Sequence, residues 1–112
     1  MSDLARKLQL GAAAIRVLNA PPGLDLDLPT DEDAAAVLVF VRDRSELEGT
    51  AEPALEAARA DRLAWIAYPK GGQQGTDLNR DILWKALEGR GVRPVRQVSV
   101  DAVWSALRFR PG

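Results

Sequence analysis

The chain has 112 residues, 46% hydrophobic and 28% charged, with a formal net charge of -1 and neither cysteine nor histidine. That composition describes one globular domain over residues 1–112, and it excludes a disordered chain, a disulfide scaffold and a protein that coats nucleic acid by bulk charge. The missing imidazole and thiolate also exclude Ser–His–Asp catalysis, cysteine nucleophiles and ordinary zinc sites, which leaves proton transfer to Asp, Glu, Lys or Tyr.

No apolar run reaches the roughly 18 residues of a membrane span, and the first eleven residues lack an apolar stretch behind a basic head. A cytoplasmic protein without membrane contact is the expectation. Ser2 is placed to cap a short helix with Leu4 and Leu8 on one face, ended by Gly11. A strand follows over Ala14–Asn19, closed by Ala20-Pro21-Pro22-Gly23, where two prolines forbid a helix. Residues 24–33 alternate leucine with aspartate and then turn acidic. They read as an extended segment tucking its leucines onto the core; no metal is expected, because the glycine of a calcium loop is missing.

Ala35–Val41 is apolar without alternation, the pattern of a strand buried on both faces. Ser45-x-x-Glu48 reads as a capping box for the next helix. Gly49 interrupts that helix, Thr50 re-caps it, Pro53 sits in its first turn, and Leu55, Ala57 and Ala58 form a thin buried face. Leu63–Tyr68 is a second buried strand stopped by Pro69. Lys70-Gly71-Gly72-Gln73-Gln74-Gly75 makes a glycine-rich loop, with Thr76 or Asp77 capping a helix whose apolar stripe is Leu78, Ile82, Leu83, Ala86 and Leu87. Gly89 and Gly91 end it.

Two strands close the chain. In the first, Val98 and Val100 share one face and Arg93, Val95, Gln97 and Ser99 the other. In the second, Val103, Leu107 and Phe109 oppose Trp104, Arg108 and Arg110. The link Asp101-Ala102 is too short for a crossover helix, so they form an antiparallel hairpin. The expected fold is therefore α/β: a small Rossmann-like sandwich of two or three layers, with a mostly parallel five-stranded sheet ending in a hairpin. Right-handed crossovers put helices 45–60 and 77–88 on one side. The other face then has only the N-terminal helix and the leucine-rich segment, and a homodimer through this face, or over the terminal hairpin, is expected to supply the missing cover.

From Val37 onward the element order resembles the later half of Rossmann-fold methyltransferases, including a Gly91-Val92-Arg93-Pro94 run before the terminal hairpin. The chain departs from that family after the first strand, where Asn19–Gly23 replaces the cofactor-binding glycine fingerprint, so no cofactor is expected. The runs R-V-L-N-A-P, W-I-A-Y-P-K, T-D-L-N-R-D and W-S-A-L-R-F-R together resemble a family of small bacterial proteins of unknown function, which implies a bacterial protein and brings no activity with it.

Loops after the strands of an α/β sheet are where ligands sit, and this singles out Tyr68, Lys70, Thr76, Asp77 and Arg80. Lys70 with the first amides of the following helix reads as a contact for phosphate or carboxylate, or else as a solubilising lysine. Asp77, Arg80 and Asp81 read as a cap with a local ion pair. The expected function is a non-catalytic, dimeric module binding an acidic small molecule or a partner protein. The alternative is a minimal enzyme in which Lys70 orients an anionic substrate and Asp77 or Tyr68 moves a proton. A third reading binds nucleic acid through Arg93, Arg96, Arg108 and Arg110 with Trp104; its plainer counterpart pairs the guanidiniums with Asp101 and the acidic segment, while Trp104 covers core.

Overall fold

Apolar residues in an unbroken run leave a strand only one stable place, the middle of a sheet covered on both sides. The computed structural model, which describes residues 3–71 and 73–112, puts both such runs there. β2 (Ala36–Phe40) and β3 (Ala64–Pro69) are buried along their whole length. β1 (Ile15–Leu18), β4 (Val92–Ser99) and β5 (Trp104–Pro111) complete a five-stranded sheet in the order β1-β2-β3-β5-β4. The α/β class and the terminal hairpin are as expected. The mostly parallel sheet is not: β1–β2 and β2–β3 pair parallel, but β3–β5 and β4–β5 pair antiparallel. β5 is the reversed strand, and because it inserts between β3 and β4, both of its pairings are antiparallel.

Period-two alternation divides the core into two layers. Val37, Val39, Ile66, Tyr68, Leu107 and Phe109 face α2 (Arg44–Thr50), α3 (Glu52–Arg59) and α4 (Arg80–Leu87). Leu38, Phe40, Trp65, Ala67, Trp104 and Ala106 face α1 (Asp3–Lys7) and the residues just after it, with Leu24, Leu26 and Leu28 half-buried beside them. The expected shortage of cover on this second face does not arise. Trp65, Phe40 and Leu8 are fully buried within one chain. Phe40 and Trp104 meet edge-on, with ring centroids 5.0 Å apart, and the Trp65 indole N–H donates to the Leu8 carbonyl at 3.1 Å. Large aromatics fill the volume a second layer of helices would occupy.

The helix caps lie one to three residues from where the sequence puts them. Ser2 is outside the described residues. The cap of α2 is Asp43, whose carboxylate accepts from the Glu46 amide, while Ser45 only donates its hydroxyl to that carboxylate. Glu46, not Glu48, reaches back, accepting from the Arg42 amide at 2.7 Å. Gly49 does break the helix, at φ +82°, where a side chain would be strained. Ala51 rather than Thr50 then begins α3, without a side-chain cap but with Pro53 in the first turn. In α4 the stripe holds at Leu83 and Leu87, but Ala86 is exposed.

One irregularity reorders a whole face. Register shifts between Pro94 and Arg96, so Val95 is an extra residue on β4. A bulge reverses the alternation beyond it. Arg93 therefore pairs with Arg110 and Arg96 with Arg108, while Gln97 falls opposite Leu107 and Ser99 opposite Ser105. Arg93 is thus separated from Gln97 and Ser99, with which simple alternation grouped it.

The N-terminal segment is held by few residues, so its anchor carries much of that layer. Leu8→Ala should lower the unfolding free energy by about 3 kcal/mol, measured by urea denaturation, with the Trp65 indole N–H, freed of the Leu8 layer, exchanging faster by nuclear magnetic resonance. A change within error would show that the segment contributes nothing to the core.

Candidate functional site

The carboxyl end of β3 meets the start of α4 and the hairpin in a cleft of about 380 Å3, lined by Tyr68, Lys70, Asn79, Arg80, Gln97 and Ser105. Strand pairing builds its floor. Tyr68 lies opposite Ser105, and Ser105 lies opposite Ser99, so three polar side chains cross the sheet in one row on the α4 side. Backbone contacts close one end: the Lys70 amide donates to the Val103 carbonyl at 2.7 Å, tying the loop to the hairpin turn. Asn79 closes the other, its Oδ1 accepting from the Ile82 amide at 2.8 Å as the cap of α4.

Tyr68 is the unusual group. It is 2% exposed, packed among the apolar residues of the α-helical layer, and its hydroxyl is sealed from solvent with no hydrogen-bond partner among the described residues. Leaving such a donor unmade costs about 1–3 kcal/mol. Burial pushes the phenol above its ordinary value, with the Arg80 cation opposing that and Asp81 adding to it. Tyr68 is therefore a neutral donor at physiological pH, not a base. Ser105, 5% exposed, is the buried polar residue beside it.

Two cations line the cleft with it. Lys70 Nζ donates to Ser99 Oγ at 2.8 Å and makes no ion pair among the described residues. Arg80 meets Asp81 at 3.6 Å, with both side chains mostly in solvent, a pairing worth little. The cleft thus offers one buried hydroxyl, two accessible cations and the start of a helix. Those groups suit an anionic group accepting hydrogen bonds.

Tyr68, Lys70 and Arg80 are brought together here, but Thr76 and Asp77 do not line the cleft. Thr76 Oγ1 accepts from the Leu78 amide at 3.0 Å. Asp77 Oδ1 accepts from the Arg44 amide at 2.9 Å, so it serves the first turn of α2 rather than capping α4. Gln97 and Ser105 were missed, since only the hairpin register brings them in. No signal within the loop pointed to them.

The hairpin arginines are placed differently from either sequence reading. Arg110 pairs with Asp61 at 3.1 Å, Arg108 donates to Gln9 at 2.6 Å, and Arg93 donates to the Pro111 carbonyl at 3.1 Å. Asp101 instead accepts from the Val103 and Trp104 amides, each at 2.8 Å. Trp104 is buried core, as its plainer reading held. Among the described residues no group of acidic side chains is arranged to hold a metal, and no helix is long and apolar enough to cross a membrane. Comparison of the chain with known protein families, with curated proteins and with solved structures finds no match.

Tyr68 is the single tyrosine, so phenolate absorbance reports it alone. Its titration should lie above the ordinary value of about 10. The folded state then holds the proton that the unfolded state loses, so stability is level below that value and falls as pH rises through the folded pKa. A midpoint at or below the ordinary value would contradict the burial. Tyr68→Phe removes the unpartnered hydroxyl and should raise stability by about 1 kcal/mol, read as a higher denaturation midpoint; a loss of that size would mean the hydroxyl is bonded within the chain.

Proposed function

We propose that this chain is a non-catalytic α/β binding module whose ligand is a small molecule bearing a carboxylate or phosphate, held in the cleft at the end of β3. The observation that carries this reading is the Tyr68 hydroxyl, buried and unpartnered among the described residues, in a cleft lined by two cations. An anion that displaces the side chains over the hydroxyl accepts its hydrogen bond and offsets a cost the free chain bears. The cleft volume falls in the range of roughly 300–1,000 Å3 typical of small-molecule sites, which favours a small ligand over a partner protein.

The catalytic alternative uses the same cleft with Lys70 orienting the substrate. Asp77 is committed to α2, and a phenol with a raised pKa is a poor proton shuttle near neutrality. Binding is the better-supported reading. Nucleic-acid binding through the hairpin has lost its aromatic platform, since Trp104 is buried. A homodimer is not needed to cover the second face, which the chain closes itself; over the terminal hairpin it stands as a proposal. Rossmann-like descent rests on element order alone; the cytoplasmic setting stands as a proposal.

Titration with inorganic phosphate and with acetate, followed by amide resonances, should shift Gly71, Arg80 and Ser105 at millimolar ligand. Arg80→Ala and Tyr68→Phe should each weaken binding by about tenfold, the worth of one charge-assisted hydrogen bond. Unmoved resonances with both anions would sink the proposal.

A further inference from the structure

The cleft at Tyr68 does not end at Arg80. A second hollow of about 410 Å3 runs on between α4 and the bulged part of β4, and the two share Arg80 and Gln97. It adds an apolar stretch, Trp84, Pro94, Val95 and Leu107, beside the charged Asp81 and Arg96 that also line it.

We propose that the ligand is a small anion carried on a flat ring, with the anionic group at Tyr68, Lys70 and Arg80 and the ring laid against Trp84 and Val95. This rests on the anion reading of the first hollow and adds the class of molecule attached to the anion.

Three observations support the ring. Trp84 is half-buried and packs against Phe109, with ring centroids 6.5 Å apart and planes inclined by 42°, so the indole is braced while still lining the hollow. A braced indole is a good surface for stacking, with little entropy left to lose. Val95, 39% exposed, stands out as the exposed large hydrophobic residue of the described chain, and the bulge puts it at this hollow. Arg80 sits at the junction, and a guanidinium can meet an anion at its edge and a ring on its face. Strand addition along β4 is a poorer use of this surface. Pro94 lacks an amide hydrogen, and Arg93 and Arg96 mark the edge with charge.

The test compares methyl phosphate with phenyl phosphate on the whole chain, by nuclear magnetic resonance titration. Burying one ring against Trp84 and Val95 should make phenyl phosphate bind about tenfold tighter, and the Trp84 indole N–H signal should move with phenyl phosphate but not with methyl phosphate. Trp84→Leu should bring the ratio of the two affinities close to one. Should that variant not fold, Val95→Ser, at an exposed position, should narrow the ratio in the same direction. Equal affinities with an unmoved indole overturn the ring and leave the anion site standing. Failure of both phosphates to bind overturns the anion site and the ring with it.

Discussion

The pairing of β3 with β5 is the constraint on which the rest of this molecule depends. It runs in antiparallel register from Ala64 opposite Phe109 to Pro69 opposite Trp104. That one ladder places Phe109 and Leu107 under the helices, Trp104 and Ala106 under the N-terminal segment, and Ser105 beside Tyr68. It also carries the hairpin turn to Lys70, where a backbone hydrogen bond fixes the start of the loop. A slip of one residue would send every one of these side chains to the opposite face.

The two faces of the sheet are closed by different means. Helices with small residues, Ala54, Ala57 and Ala58 among them, approach one face closely. On the other, a five-residue helix and an irregular leucine segment suffice because Phe40, Trp65 and Trp104 supply most of the volume. Aromatic side chains bury a great deal of surface per residue, and the Trp65 indole gains a backbone partner that also anchors the chain's start. A chain of this length can thus complete both layers without a second copy.

The cleft follows from where this packing stops. Tyr68 belongs to the core by its ring and to the cleft by its position at the strand end, so its hydroxyl is sealed in with no partner among the described residues. Native proteins rarely leave such a donor unmet. Where they do, the unmet bond is a reserve that a ligand can draw on, at the expense of stability in the free chain. The phenol, Lys70 and Arg80 are all hydrogen-bond donors, the complement of an anionic group.

Apolar spacing was enough to read the strands and the tucked leucines, the short Asp101-Ala102 link the hairpin, and crossover handedness the side each helix covers, because each is a relation between near neighbours in the chain. Tyr68, Lys70 and Arg80 were legible for the same reason, as they flank one strand–loop–helix junction. Tertiary structure decided the rest. The reversed β5 beside β3 is a choice among strand orders that no local spacing encodes. The bulge at Val95, which moves Gln97 and Ser99 to the α4 side, exists only as a mismatch between two strands. Asp77 looked like the cap of the helix just after it, and instead meets an amide 33 positions away. Partners that distant are chosen by the packed fold, since chain neighbours alone do not determine which side chains meet.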